Sequence, residues 1–206
     1  LSAAEEKANA VLLAWYPGAR GGSAVAELLF GESSPSGKLP LTFYRNEDLA
    51  FLPEFTDYSM KGRTYRYLER APLYPFGYGL TYGDVRVLSA DVSAASAKEG
   101  LVADVTAQNL GAAETDDVIE LYIKAEDSPF APPNPVLCGF RRVRLRPGES
   151  ASLRISVPPR ALTVVNDAGE RIPGGKRFAL YAGTCQPDER SRQLTRSAPV
   201  KIPVEL

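Results

Sequence analysis

Gly31-Glu-Ser-Ser-Pro-Ser-Gly-Lys-Leu-Pro-Leu-Thr-Phe43, followed by Gly62-Arg-Thr-Tyr-Arg-Tyr67 and Tyr74-Pro-Phe-Gly-Tyr-Gly-Leu-Thr-Tyr82, divides this sequence into two kinds of pattern. Before it, compact apolar runs alternate with helical spacing. After Tyr82, short segments alternate apolar and polar residues with period 2. The fold class expected from this division is mixed: an α/β portion, an ordered loop-rich junction and an all-β sandwich.

On the upstream side, Ser2-Ala-Ala-Glu5 fits a capping box, and a short helix is expected to about Ala10. Val11-Leu-Leu-Ala-Trp15, closed by Tyr16-Pro17-Gly18, has the length and composition of a strand buried on both faces of a parallel sheet. Gly21-Gly22-Ser23 opens a second helix. Its Val25, Leu28 and Leu29 fall at i, i+3 and i+4, and Gly31 supplies the stop. Leu39-Pro-Leu-Thr-Phe43 reads as an edge strand, because Pro40 has no N–H to give to a ladder. One strand and two helices do not make a stable domain, so residues 1–46 are read as the last piece of a larger α/β domain. The Leu1-Ser-Ala-Ala start, without Met or a signal peptide's basic-then-apolar order, reads as a cut through a longer chain.

Residues 47–82 show no sustained period but many aromatics, among them Phe51, Phe55, Tyr58, Tyr65, Tyr67, Tyr74, Phe76 and Tyr78. A flexible linker is rich in Gly and Ser and poor in aromatics. This stretch is therefore expected to be an ordered junction packed across a domain interface. From residue 83 to 206 the strand pattern takes over. Leu101, Ala103, Val105 and Ala107 line one face, as do Ile119, Leu121 and Ile123; Leu153, Ile155 and Val157; Phe178, Leu180 and Ala182; and Val200, Ile202 and Val204. Roughly seven such strands with turn residues between them match an immunoglobulin-like or fibronectin type III-like sandwich.

Composition excludes several kinds of chemistry. The 206 residues contain no histidine, which removes Ser-His-Asp and Cys-His nucleophile systems and most zinc sites. Cys138 and Cys185 are too far apart for a Cys-x-x-Cys motif and are read as buried free thiols, with a disulfide between them as the alternative; no cofactor or metal is expected. A net charge of −1 argues against a nucleic-acid or anionic-membrane surface, and no apolar run approaches the roughly 20 residues that span a bilayer. Gly31–Lys38 is off by one residue from a phosphate loop, with Leu39 where Ser or Thr would bind magnesium and a helix before it instead of after.

Among polar clusters, Arg142, Arg144 and Arg146 share one strand face opposite Val143 and Leu145 and read as a solvated sheet face. Asp116, Asp117 and Glu120 fit no calcium-loop spacing and read as solvated residues where a strand begins. Glu47, Asp48, Glu54, Asp57 and Glu69 are the junction's carboxylates. Glycoside hydrolysis needs two of them roughly 5–10 Å apart, and nothing in the spacing shows such a pair. Arg63 and Tyr65, with Arg66, can either hydrogen-bond sugar hydroxyls or hold an interface by stacking.

Taken together, Tyr16-Pro-Gly18, Ala26-Glu-Leu-Leu-Phe-Gly31, Pro35-Ser-Gly-Lys-Leu-Pro40 and Thr42-Phe43 resemble the end of the α/β sandwich domain of glycoside hydrolase family 3. Met60–Tyr67 and Tyr74–Tyr82 are similar to the segment that follows it in the β-glucosidase and β-xylosidase branches. Asn109-Leu-Gly111, Val118–Tyr122, Leu137-Cys-Gly-Phe140 and Leu145–Glu149 are similar to the family's fibronectin type III-like domain. Tyr78 departs from the pattern, since many relatives carry His there.

The resemblance implies a retaining, exo-acting enzyme. Its Asp nucleophile and Glu acid/base would both lie upstream of Leu1, so no catalytic residue is assigned in this chain and the chain alone is expected to be inactive. It implies a β-linked gluco- or xylo-oligosaccharide as substrate of the parent enzyme, the upstream catalytic domains as partners and a supporting role for the sandwich. Arg63 and Tyr65 are the candidate substrate-binding residues. Two other readings remain open: a carbohydrate-binding module, for which Tyr122 and Tyr181 are the outward aromatics, and a structural or dimerising module. The compartment is also open.

Overall fold

A computed structural model describes residues 2–206, excluding the Ser2 side chain and with it one half of the expected capping box. Helix α1 (Ser2–Lys7) ends short of Ala10, and α2 (Gly21–Leu29) spans the segment its apolar spacing predicts. Past α2, Gly31 takes φ +77°, and the Glu32 N–H donates back to the Glu27 carbonyl at 2.9 Å, which closes the helix.

The run Val11–Trp15 is not a strand. A buried parallel strand needs a neighbour on each side, and no described segment lies alongside it. Trp15 has a left-handed φ of 49° that interrupts the extended run, and Val11, Leu12, Leu13 and Trp15 remain exposed. The second expected strand, Leu39–Phe43, is reduced to one bridge between Phe43 and Tyr74. Its N–H groups nevertheless find partners, Leu39 donating to the Tyr78 carbonyl and Phe43 to that of Tyr74, both at 2.9 Å. The Gly77 N–H returns to the Leu39 carbonyl at 2.8 Å. The tail of the α/β part is therefore stitched backbone to backbone onto the junction.

The junction is ordered, with a 3₁₀ turn at Asn46–Phe51 and the single-turn helix α3 (Thr64–Tyr67). From Val85 onward the chain is a sandwich. Strands β1 (Val85–Ser96), β2 (Gly100–Asn109) and β5 (Ser150–Val157) form one sheet, in the order β1-β2-β5. Strands β3 (Thr115–Ala125), β4 (Val136–Leu145), β8 (Arg177–Gly183) and β9 (Val200–Glu205) form the other, ordered β4-β3-β8-β9. A small ribbon of β6 (Thr163–Val165) and β7 (Arg171–Pro173) turns at Asn166–Gly169.

The period-2 reading holds across this region. Leu101, Ala103, Val105, Ala107, Ile119, Leu121, Leu153, Ile155, Val157, Phe178, Leu180 and Ala182 all lie in one buried cluster between the sheets. At one end of this core Asn109 is fully buried with every polar atom used. Its amide donates to the Ala113 and Leu145 carbonyls, and its oxygen accepts the N–H groups of Asp84 and Gly111. Helix α4 (Glu189–Thr195), unanticipated from the pattern, is capped by Asp188, which accepts the Ser191 N–H at 2.7 Å.

Cys138 and Cys185 are free thiols, as expected from sequence; burial pushes both up, Cys185 to about 11. Among the described residues no helix is long and apolar enough to cross a membrane.

Candidate functional site

Strand β3 has two buried faces. Ile119, Leu121 and Ile123 face the sandwich core, and Glu120 and Tyr122 on the opposite face are buried beneath the junction. Tyr65 of α3 stacks on Phe76 with ring centroids 4.2 Å apart, and both rings meet Tyr122 edge-on, at 6.3 Å and 6.4 Å. The Tyr65 hydroxyl accepts the Leu137 N–H at 3.1 Å. Asn134 in turn donates to the carbonyls of Tyr65 (2.9 Å) and Leu68 (2.7 Å). Tyr122 is thus no outward aromatic; the junction covers it.

Polar groups continue the same contact. Lys38, in the segment read as a near phosphate loop, reaches across to Asp117 at 2.8 Å, with both side chains at least nine-tenths buried, and donates to the Gly79 carbonyl at 3.0 Å. Ser34 and Thr115 share a hydrogen bond of 2.6 Å, and the Ser34 hydroxyl also accepts the Tyr82 N–H. The Tyr82 hydroxyl donates to the Leu28 carbonyl of α2 at 2.6 Å. On the far side Arg190 of α4 and Arg45 both pair with Glu5 of α1, at 2.5 Å and 3.3 Å. Segments from residue 5 to residue 190 are tied into one contact.

Asp117 and Glu120 are therefore not solvated residues at the beginning of a strand. Each is 4% exposed. Burial raises the Asp117 carboxyl against the pull of Lys38, and burial pushes Glu120 up to about 7, opposed by the hydrogen bond from the Tyr122 hydroxyl (2.7 Å) and by Lys38. Since Glu120 holds its proton more tightly folded than unfolded, its ionisation destabilises the fold progressively as pH rises from about 4.5 to about 7. Glu120→Gln keeps an acceptor for Tyr122 and removes that charge. The variant is expected to be more stable than the parent at pH 8, by on the order of 3 kcal/mol, with the difference vanishing near pH 4.5. Urea unfolding at the two pH values measures it.

Gly77 closes the roof. Its φ is +76°, and a Cβ there would run into the Glu120 carboxylate and the Tyr122 hydroxyl. Left-handed strain and overpacking together put the expected loss for Gly77→Ala at about 2–4 kcal/mol, read as a shift of the denaturation midpoint.

The residues singled out for sugar contact lie elsewhere in this arrangement. Tyr65 is inside the interface. Arg63 sits at the surface and holds a loop, donating to the carbonyls of Pro53 (2.9 Å), Glu54 (2.8 Å) and Asp57 (2.5 Å). It is Arg66, at 5.9 Å, and not Arg63, that lies over the Tyr65 ring. The loop Arg63 holds carries Phe55 and Tyr58, both almost fully exposed.

Asp48, Asp57 and Glu69 line a shallow cleft of about 350 Å³ beside it. Asp48 accepts the Arg45 N–H and faces Arg70 at 3.9 Å. Asp57 accepts the Ser59 N–H at 2.8 Å, which lowers its carboxyl. Asp48 and Asp57 each serve their own loop, and among the described residues no three His, Cys, Asp or Glu side chains gather as a metal site.

Residues 1–82 match the glycosyl hydrolase family 3 C-terminal domain, and residues 117–186 match the fibronectin type III-like domain, in the order in which the structure stacks them. The chain belongs to glycosyl hydrolase family 3. It is 39% identical over 192 residues to a xylan 1,4-β-xylosidase of Xylanibacter ruminicola, covering 92% of this chain and 22% of that protein. It is 34% identical to a periplasmic β-glucosidase of Salmonella typhimurium, over 87% of this chain and 25% of that one. Among solved structures, the β-glucosidase EmGH1 of Erythrobacter marinus superposes with a TM-score of 0.73 at 29% identity, over 93% of this chain and 24% of that one. The β-glucosidase DesR of Streptomyces venezuelae, in complex with D-glucose, gives 0.75 at 28%, over 92% and 25%. The chain thus spans about a quarter of the length of these relatives and corresponds to the C-terminal part of the family.

Tyr16, Leu29, Phe30, Phe51, Phe55 and Tyr58 are exposed on the α/β tail and its junction, whereas in the sandwich the exposed large apolar side chains are Leu88, Leu110, Phe130, Phe140 and Val165 among the described residues. Family 3 relatives carry further chain beyond the quarter matched here.

Proposed function

We propose that this chain is the supporting C-terminal region of a retaining, exo-acting glycoside hydrolase that cleaves β-linked gluco- or xylo-oligosaccharides. We divide it into an α/β tail (1–46), a junction (47–82) and a buttressing sandwich (83–206). The observation that carries this reading is the buried contact of Lys38, Tyr65 and Phe76 with Asp117, Glu120 and Tyr122. It fixes the tail of the α/β domain to the sandwich by groups that water does not reach. The names of the relatives supply the substrate class.

A carbohydrate-binding platform of exposed aromatics is the weaker reading. Tyr122 is buried, and Tyr181 is half-covered, with the Lys201 ammonium 5.8 Å from its ring centre.

Direct sugar contact by Arg63 or Tyr65 is a separate proposal, for which the geometry supports an indirect form. Arg63 holds the segment 53–57 through the Pro53, Glu54 and Asp57 carbonyls, and Phe55 within it and Tyr58 next to it point outward. In the full-length protein, Arg63→Ala is expected to raise KM for an aryl β-glycoside several-fold with kcat nearly constant, because lost loop order weakens ground-state and transition-state binding alike. Unchanged kinetics would leave the arginine a purely structural role. Residues 1–206 alone are expected to release no aryl aglycone above the buffer rate, and clear turnover by this chain would overturn the proposal.

A further inference from the structure

A second concavity, of about 410 Å³, lies at the edge of the sandwich, between the end of β3, the segment 126–135, the Pro159–Leu162 turn, the β6–β7 ribbon and α3. Its lining includes four cations from four separate elements: Arg66, Lys124, Arg160 and Arg171. No Asp or Glu lines it, although the whole chain carries 25 acidic residues against 24 basic ones. Elsewhere on the sandwich several exposed arginines are neutralised, Arg142 by Asp116, Arg144 and Arg146 by Glu114, and Arg154 by Asp104, while Arg141 and Arg196 stand singly without an ion pair among the described residues. Among the described residues, Arg66, Arg160 and Arg171 form no ion pair.

The cations are held to different degrees. The Lys124 ammonium donates to the Pro133 carbonyl, and Arg171 donates to the Thr163 hydroxyl at 2.9 Å. Thr163 itself donates to the Arg160 backbone carbonyl at 2.7 Å, and among the described residues the Arg160 guanidinium forms no hydrogen bond or ion pair. Like charges gathered in one concavity repel, and an anion placed among them removes that repulsion while accepting paired N–H groups from a planar fork. Tyr67 and Phe130 add aromatic surface to the same lining, and the volume is within the range of small-molecule sites.

We propose that this pocket binds an anionic saccharide, taking the carboxylate of a uronate unit on Arg160 and Arg171 with the sugar ring against the aromatic lining. The anion preference stands on the charges alone. The choice of a saccharide rests on the proposed glycosidase function.

Titration calorimetry of the full-length protein tests the proposal with three probes: methyl α-glucuronide, methyl α-glucoside and inorganic phosphate. The α-linked glycosides are chosen because a β-specific hydrolase leaves them intact. Methyl α-glucuronide is expected to bind at least about tenfold more tightly than methyl α-glucoside. Arg160→Glu, which alters a side chain without a structural partner, is expected to abolish that preference, and Arg160→Gln with Arg171→Gln to weaken glucuronide binding about tenfold or more. Aryl β-glycoside hydrolysis by these variants should equal that of the parent. Equal affinity for acidic and neutral sugars, glucuronide binding that survives Arg160→Glu, or binding of phosphate without glucuronide would each overturn the proposal. Absence of aryl-glycoside hydrolysis in the parent protein would count against the glycosidase reading and leave the binding result to stand or fall separately.

Discussion

Lys38→Met destabilises the chain by about 3–5 kcal/mol at pH 8, the largest loss expected of any single polar substitution here. Among the described residues Lys38 is the sole cation paired with Asp117, at 2.8 Å, and both groups are shielded from water. Removing the ammonium leaves a buried carboxylate with one local donor, the Val118 N–H at 2.7 Å, and frees the Gly79 carbonyl. The loss is also expected to depend on pH. Burial already raises the Asp117 carboxyl in the presence of Lys38 and raises it further without it. Protonation then relieves the stranded charge, so the variant recovers part of its stability as pH falls toward 5. The double variant Lys38→Met, Asp117→Leu should lie within about 1–2 kcal/mol of the parent, because a well-packed apolar pair replaces a buried ion pair at little net change. Urea unfolding of the three variants at pH 5 and pH 8 measures both effects.

Tyr65→Ala is expected to lower stability by about 3–5 kcal/mol, in the range found when a large buried aromatic is truncated. Its ring contributes the stack on Phe76 and the edge contact to Tyr122, and its hydroxyl satisfies the Leu137 N–H. Tyr65→Phe separates the two contributions. It keeps the stack and strands one backbone donor, for an expected loss of about 1–2 kcal/mol. In the full-length protein both substitutions should shorten the half-life at elevated temperature and leave KM for an aryl β-glycoside near the parental value. A KM effect as large as that of Arg63→Ala would instead place Tyr65 at the sugar.

The sandwich was legible in the sequence because its strands carry their environment in a two-residue period. Leu101–Ala107 and Leu153–Val157 need nothing beyond alternation to be assigned to a core. The α/β tail was legible as composition and not as structure. Val11–Trp15 has the makeup of a buried strand, yet strand formation depends on neighbours that a local pattern does not contain.

The buried contact was the hardest part to read. Asp117 and Glu120 look solvated because charged residues on an alternating strand usually are, and Lys38 reads as part of a turn. What covers them comes from about 40 to 80 positions away in the chain, and no periodicity reports that. One signal was present: β3 reads Ile119-Glu-Leu-Tyr-Ile123, and Tyr122 together with an aromatic-rich junction could have suggested a second covered face. Helix α4 was missed although Asp188-Glu189 carries an N-cap and a first-turn acid. Its seven residues are too few for a clear apolar stripe.

The support role is tested most directly by thermal inactivation of the full-length protein, parent against Lys38→Met, assayed as aryl β-glycoside hydrolysis at 25 °C after incubation at higher temperature. If the sandwich holds the α/β tail in place, the variant loses activity several-fold faster, while kcat/KM before heating equals that of the parent. A parental inactivation rate, or a fall in kcat/KM before heating with no change in that rate, would contradict the account.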